Sequence, residues 1–112
     1  MNVYDCVNDL ARAIRESHEL KALKEAKVVL EKDADAKKMV DDFLKLSQEV
    51  EIAKYQGKEV DMAKQDKLQQ LYTLLNLNSD AQTYLNAFMR FQMMMADISK
   101  AIAEPVKLVM GE

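Results

Sequence analysis

The side chains with the most reactive chemistry are one histidine and one cysteine, His18 and Cys6. A histidine can act as a general base near neutral pH, but His18 follows Ser17 at a predicted helix start, and the spacing offers no nucleophile or orienting group beside it. Cys6 would need a basic neighbour or a helix N-terminus to become a reactive thiolate, and Asp5 and Asp9 oppose that. We therefore interpret His18 as a solvated helix-terminal residue and Cys6 as a small, partly buried core residue, and we expect no catalytic residue.

Aspartates occur in two close pairs that could suggest a metal site, Asp33 with Asp35 and Asp41 with Asp42. They lack the glycine and the closing glutamate of a calcium loop, and the chain has no pair of Glu-x-x-His motifs for a di-iron bundle. The first pair fits helix capping and the second fits the solvated side of a helix. We therefore expect no metal and no cofactor.

Three lysines of one predicted helix, Lys21, Lys24 and Lys27, could lie on adjacent ridges and contact phosphates. Glu25 and Glu31 interrupt any continuous basic stripe, and the chain carries 16 basic and 19 acidic residues, a net charge of -3. With two glycines the chain also has no phosphate loop or dinucleotide fingerprint. A solvated helical face explains the lysines better, so we expect no direct binding of nucleic acid.

Methionines are concentrated near the C-terminus, where Met89, Met93, Met94 and Met95 make up half of the eight in the chain. Methionine is flexible and polarisable, and it is frequent on surfaces that pack against varied partners. Two interpretations stay open from the sequence. The side chains either fill a core, within the chain or between two copies, or they form a surface that also receives another protein.

Five amphipathic stretches separated by capping and turn residues predict an all-α protein. Ser17 and Asp33 are predicted N-caps, and Gly57 suits the left-handed residue that ends a helix. Pro105 marks a kink or an end of the last helix. The predicted helices cover about residues 3–16, 18–32, 34–56, 62–77 and 80–103, with a short tail after Pro105.

The third and fifth predicted helices carry the heptads of helices that pack along one seam. With a turn at Gly57, the third and fourth helices fold back as an antiparallel hairpin roughly 30 Å long. We predict an antiparallel helical hairpin or bundle of about five helices with coiled-coil-like heptads. The seam positions are Ala36, Met39, Phe43, Leu46, Val50 and Ala53 in the third helix, and Ala81, Tyr84, Phe88, Phe91, Met95, Ile98 and Ile102 in the fifth.

One pattern occurs twice in the chain, at an offset of 45 residues. Asp35-Ala36-x-x-Met39-Val40-x-x-Phe43 matches Asp80-Ala81-x-x-Tyr84-Leu85-x-x-Phe88. This repeated pattern reflects either a duplication or two helices that are built in the same way, with a capping residue followed by an apolar stripe. We favour the second interpretation.

The fifth predicted helix is apolar around most of its circumference, since Asp80 and Arg90 are the only charged residues between positions 68 and 96. A chain of 112 residues suffices for one domain, residues 1–112. The four other short helices cannot cover that helix on several sides. We therefore predict a homodimer or higher oligomer with an interface that contains Tyr84, Leu85, Phe88, Met89, Phe91, Met93, Met94, Met95 and Ile98.

Neither end of the sequence predicts a membrane or secretory segment. The N-terminus has no basic patch followed by an apolar run. The most apolar stretch, from Tyr84 to Ile98, is interrupted by polar residues and is shorter than the roughly 20 residues that span a bilayer. We expect a cytoplasmic protein without a membrane partner.

Short segments spread over the whole chain form a pattern by their order and spacing: Asn2-Val3-Tyr4-Asp5, Leu10-Ala11-x-Ala13-Ile14-Arg15-x-Ser17-x-Glu19, Leu23-Lys24, Asp35-Ala36-Lys37-x-Met39, Phe43, the Gly57 turn, Lys100-x-Ile102-x-x-Pro105 and Gly111. This pattern resembles the YheA branch of the YlbF/YmcA family, small helical proteins of Gram-positive bacteria. The resemblance implies an all-helical fold around a long hairpin, with association into dimers or higher oligomers.

The resemblance also implies functional expectations. The relatives YlbF and YmcA are linked to competence, sporulation and biofilm development, and they act with a third protein in an accessory complex that influences RNA processing by a ribonuclease. Their complexes are associated with iron–sulfur clusters held by cysteines. Cys6 is the only cysteine of this sequence, and it lies at the opposite end of the chain from the cysteine-bearing tail of those relatives. This difference argues against an iron–sulfur cluster.

The sequence thus favours a non-enzymatic helical adaptor or regulatory protein of the YheA type, which binds itself and possible further protein partners. The alternative is an accessory subunit of an RNA-processing complex, as for YlbF and YmcA. A small enzyme is the least favoured class, because no acid, base or nucleophile converges.

Overall fold

The helices begin where capping side chains take up free backbone N–H groups. The computed structural model describes residues 1–111, and in these residues it contains five α-helices and no strand: α1 Val3–Arg15, α2 His18–Leu30, α3 Ala34–Tyr55, α4 Met62–Leu75 and α5 Ser79–Met110. The predicted all-α class is confirmed, and four of the five helices end within two residues of the predicted limits.

Both predicted N-caps are confirmed by hydrogen bonds. The Ser17 hydroxyl accepts from the backbone N–H of Leu20 at 3.2 Å, and an Asp33 carboxylate oxygen accepts from that of Ala36 at 3.1 Å. Each cap satisfies one of the donors that a helix N-terminus leaves without a partner. Asn2, Asp61 and Asn78 cap α1, α4 and α5 in the same way, with bonds to Tyr4, Ala63 and Ala81.

The turn after α3 is a Schellman motif centred on Gly57. Gly57 has φ +73°, its N–H donates to the carbonyl of Lys54 at 3.1 Å, and the N–H of Lys58 donates to that of Ala53 at 2.9 Å. These two bonds close the C-terminus of α3 and require a left-handed residue between them. The predicted hairpin turn is therefore confirmed.

The two arms of this hairpin, α3 and α4, contact each other through both apolar and charged side chains. The rings of Phe43 and Tyr72 lie with centroids 6.0 Å apart and tilted by 36°. Further along, Lys64 Nζ is 3.6 Å from a carboxylate oxygen of Glu49. The exposed ion pair adds little to stability, so the apolar contacts hold the arms together.

A small core joins the hairpin to the end of α2 and the start of α5. Val40 and Leu75 are the largest side chains that are fully buried. Two alanines, Ala36 and Ala81, are also fully buried and allow close approach of the helix backbones. The complete cluster is Leu30, Ala36, Val40, Leu75, Ala81 and Leu85, with Met39, Phe43, Leu44 and Tyr84 packed against it.

The last helix continues through Pro105 and ends at Met110, which corrects the predicted end near Ala103 and the predicted short tail. Proline lacks the N–H that would bond the carbonyl four residues earlier, here that of Ala101. Ala101 is exposed, so water can take the place of that donor. Gly111, with φ +74°, follows the helix as its left-handed end residue.

The Cα positions divide the chain into two compact units. The first unit contains residues 1–25 and the residues from Asn86 onward, and the second contains Ala26–Leu85 with the core described above. Helices α2 and α5 contribute residues to both units. One domain over residues 1–112 stays a prediction, and Glu112 lies outside the described residues.

Replacing Gly57 with valine tests the turn. No atom lies within 4 Å of the position that a Cβ would occupy, so the cost is the left-handed backbone alone and not a steric clash. We expect Gly57→Val to lower the free energy of unfolding by about 1 kcal/mol or more. Urea denaturation measures the change. Gly57→Asn, which tolerates positive φ better, should lose less; equal losses would contradict this explanation.

Candidate interaction surface

The nine predicted interface residues of α5 fall into groups that differ in exposure. Leu85 is 7% exposed and belongs to the core of the second unit, and Tyr84 packs against the same core. This position leaves Leu85 little surface for a second copy. Met89 and Met93 are the two clearly exposed members, at 64% and 68%. The half-exposed members, besides Tyr84, are Phe88, Phe91, Met94, Met95 and Ile98.

Met89 and Met93 lie one turn apart and therefore on the same side of α5. Together they place two large apolar side chains next to each other in solvent. The interface assignment of the nine residues stays a prediction, and these two methionines are its most exposed members. We call Met89 and Met93 the methionine face.

A depression of about 640 Å³ lies next to Met93, between α5 and the start of α2 in the first unit. Its apolar floor is bordered by charges of both signs, because Arg90 contributes a positive charge and Asp97 and Glu19 contribute negative ones. An apolar centre with a charged rim is the usual anatomy of a protein interface. The α5 residues of the lining are Arg90, Met93, Met94, Asp97, Ile98 and Ala101, and those of α2 are His18 and Glu19.

The apolar seam of α5 continues beyond the predicted interface. Ile102 and Val106, one turn apart, are 60% and 57% exposed, and Met110 extends the row. Val106 and Met110 were not among the predicted interface residues, because the helix was expected to end near the proline. The four-residue spacing from Ile98 through Ile102 to Val106 was the signal that could have revealed them.

The first helix shows a second uncovered apolar row that the interface prediction did not include. The first helix was predicted to be amphipathic, but none of its residues, all of which the structure describes, is buried. Val3 is 74% and Val7 54% exposed. Cys6 is exposed as well, which corrects its interpretation as a partly buried core residue, because every residue from 1 to 9 is exposed.

The candidate residues for chemistry are occupied with structural tasks. The Ser17 hydroxyl donates to the carbonyl of Ile14 at 2.6 Å besides capping α2, and Asp33 caps α3. Asp41 accepts a hydrogen bond of 2.8 Å from Lys37 Nζ. His18 is exposed at the start of α2, as predicted. Within residues 1–111 no group of three or more metal-ligating side chains is assembled.

Two side chains have raised pKa values, one near the start of α3 and one near the start of α5. The hydrogen bond that Lys37 Nζ donates to Asp41, helped by the negative charge of that carboxylate, raises the pKa of Lys37 above its usual range. Partial burial raises the pKa of Tyr84, and the nearby Asp41 carboxylate acts in the same direction. Both shifts involve the Asp41 carboxylate, which lies near the core.

Within the described part of the chain, none of the helices is long and apolar enough to cross a membrane.

Comparison with known proteins gives a consistent result. The family model "Control of competence regulator ComK, YlbF/YmcA" matches residues 3–107. A UPF0342 protein of Caldicellulosiruptor saccharolyticus is 47% identical over 107 residues, covering 96% of this chain and 89% of that protein. A UPF0342 protein of Alkalihalophilus pseudofirmus is 34% identical over 110 residues, covering 98% and 93%.

One solved structure has the same fold. The "Protein of Unknown Function (DUF964) from Bacillus stearothermophilus" superposes with a TM-score of 0.75 over 94% of this chain and 92% of that one. Their sequences are 16% identical, so this likeness concerns the fold alone.

The raised pKa values predict a loss of stability in alkali. An unfolded tyrosine ionises near pH 10, whereas folded Tyr84 keeps its proton to a higher pH. Its contribution is therefore present below about pH 10 and disappears as the pH rises through the folded-state value. Lys37 acts in the same direction from about pH 10.5 upward.

We expect Tyr84→Phe to weaken the fall in unfolding free energy between about pH 9.5 and 11.5, as measured by urea denaturation at each pH. Tyr55→Phe removes a phenol from a residue that is 94% exposed and serves as the control. An alkaline loss that is identical in wild type and Tyr84→Phe would refute the role of Tyr84.

Proposed function

Because this chain belongs to the YlbF/YmcA family, we propose that it is a non-enzymatic cytoplasmic adaptor that acts by binding proteins, including a second copy of itself. The methionine face carries the proposal. Met89 and Met93 are 64% and 68% exposed on α5, whereas Ala81, Leu85 and Ala87 of the same helix are buried. Resemblance to the YheA branch agrees with the UPF0342 relatives.

The exposed apolar side chains of α5 support self-association. Met89 and Met93 are 64% and 68% exposed, and Ile102 and Val106 of the same helix are 60% and 57% exposed. An interface between two copies would remove these side chains from water, which is favourable.

The composition of the surface supports a second partner as well. Methionine side chains adapt their shape to different binding partners at little cost, while the charged rim of Arg90, Asp97 and Glu19 can select among them. In this mechanism binding is the activity. The assignment of Ser17, Asp33 and Asp41 to structural hydrogen bonds supports the non-enzymatic class.

An oligomer in solution is the first test. We expect the wild-type protein to sediment as a dimer or larger species at micromolar concentration. Met93→Glu should shift it toward monomer, since an unpaired carboxylate buried in an interface costs several kcal/mol, enough to raise the dissociation constant at least about a hundredfold. Lys54→Glu, a charge change at an exposed residue of α3, should have a smaller effect.

A stable monomer at these concentrations would overturn the self-association part of the proposal, and the methionines would then be ordinary filling. Circular dichroism should show unchanged helicity for Met93→Glu, because Met93 is exposed in the single chain. If Lys54→Glu dissociates the protein as strongly as Met93→Glu, the methionine face is not the interface.

The second partner is tested by affinity capture with wild-type and Met93→Glu proteins as matched baits. A partner that binds through the methionine face should be lost with Met93→Glu and kept with Lys54→Glu. Nuclease treatment of the lysate distinguishes direct binding of proteins from the alternative role as an accessory subunit of an RNA-processing complex. Partners bridged by RNA disappear on treatment, while proteins bound directly remain.

A further inference from the structure

The depression beside Met93 has charges of opposite sign at two points along α5. Arg90 lies three residues before Met93, and Asp97 lies three residues after Met94. All four side chains line the same depression, so the two charges lie on the same side of α5 as the two methionines. Arg90 and Asp97 are both exposed. We call these four residues the α5 groove.

Neither charge of the α5 groove is neutralised by a neighbour in the described part of the chain. Among residues 1–111, the ion pairs involve other side chains than Arg90 and Asp97. The two do not pair with each other, because seven residues separate them by about 10 Å along the helix. The groove therefore presents an unpaired positive charge and an unpaired negative charge beside apolar side chains.

We propose that the α5 of a second copy covers the α5 groove, antiparallel to the first, about a two-fold axis that passes between Met93 and Met94. In this register each Arg90 lies opposite Asp97 of the second copy, and each Met93 lies opposite Met94 of the second copy. The inference rests on the proposed function in one respect, that the chain associates with itself through α5. It adds the orientation of the two helices and two residues that select the partner.

The arrangement of the charges identifies a second copy as the occupant. Arg90 and Asp97 are equally far from the midpoint between Met93 and Met94. A two-fold rotation about that midpoint therefore places each charge against its opposite, and such self-complementarity is what an interface between identical surfaces requires. A parallel pair would instead place Arg90 against Arg90 and Asp97 against Asp97, and like charges that face each other oppose association.

The wall of the depression that α2 contributes strengthens the preference for an arginine. Glu19 lines the depression together with Asp97, and Arg90 is the one basic residue among the described lining residues besides His18. With His18 neutral, two carboxylates and one guanidinium leave the depression negatively charged. Arginine suits such a place, because its planar guanidinium can donate two parallel hydrogen bonds to one carboxylate.

The centre of the α5 groove supplies the apolar contact. Met93 is 68% exposed and Met94 is half-buried, so four methionines of two copies would meet around the axis. Their flexible side chains can adjust to each other. The two pairs of Arg90 with Asp97 then lie at the rim of this apolar centre, where charges determine the orientation of a complex more than its affinity.

Charge variants test the register. Arg90→Glu turns two attractions of the dimer into two repulsions, and Asp97→Arg does the same with the opposite sign. We expect each to raise the dissociation constant about tenfold at low salt, as measured by sedimentation. A chain with both changes regains the two pairs with their signs exchanged, and it should return to within about threefold of wild type. Lys54→Glu changes the net charge as much as Arg90→Glu and should have less than about a threefold effect.

Two controls accompany these variants. Circular dichroism should show equal helicity in all of them, because Arg90, Asp97 and Lys54 are exposed in the single chain. The difference between wild type and Arg90→Glu should become smaller at about 1 M salt, where charges separated by more than about 3 Å are screened.

Spin labels test the orientation directly. In a Cys6→Ser background, labels are attached at Gln92→Cys or at Glu104→Cys, two exposed positions of α5. The antiparallel register places the two residues 92 of a dimer about 10 Å apart and the two residues 104 about 33 Å apart, measured between backbones. A parallel pair gives equal distances at both positions.

The combined results separate this inference from the proposed function. Weaker association of Arg90→Glu, its recovery in the chain with both changes and a longer distance at residue 104 than at residue 92 support the register. If Met93→Glu dissociates the protein while Arg90→Glu behaves like Lys54→Glu, the register is overturned and the proposed function stands. The register is overturned too if the chain with both changes associates as weakly as the single variants, or if the two distances are equal. A monomeric wild type overturns both.

Discussion

The close packing at the start of two helices is the constraint on which the second unit depends. In α3 the cap Asp33 is followed three residues later by Ala36, and in α5 the cap Asn78 is followed by Ala81. Both alanines are fully buried. The capping bond fixes where each helix begins, and the absent side chain lets its first turn enter the core. A larger residue at either position would push the helix start away from Leu75.

This arrangement explains the pattern that occurs twice in the sequence. After each buried alanine comes a pair of core residues, Met39 with Val40 in α3 and Tyr84 with Leu85 in α5. The two segments have the same task, which is to start a helix against one shared core. That agrees with the interpretation as a repeated rule of capping and packing, and it requires no common ancestry of the halves.

The first unit, in contrast, leaves many apolar side chains exposed to solvent. In α5 the side chains of Met89, Met93 and Ile102 are more than half exposed, and none of the residues of α1 is buried. A helix as short as α1 gains little stability from its own backbone, so its stability depends on apolar contacts with other helices. Function by association follows from the same physical fact, because the surface that the chain does not cover is the surface it can offer to partners.

The sequence by itself determined the local structure: the all-α class, the caps Ser17 and Asp33, and the left-handed turn at Gly57. These features depend on side chains bonding to backbone within a few residues, so their signals are written side by side in the chain. It also located the apolar circumference of α5, since periodicity records which residues avoid water. Only the tertiary structure decided that Leu85 belongs to the core while Met93 is exposed. Both residues are part of the apolar pattern of α5, and that pattern alone does not tell which apolar side of the helix faces the core. The tertiary structure alone decided that α5 continues past Pro105, where the exposed Ala101 can leave its carbonyl to water. It also decided that Val3, Cys6 and Val7 of α1 stay exposed, because coverage depends on helices that are distant in sequence.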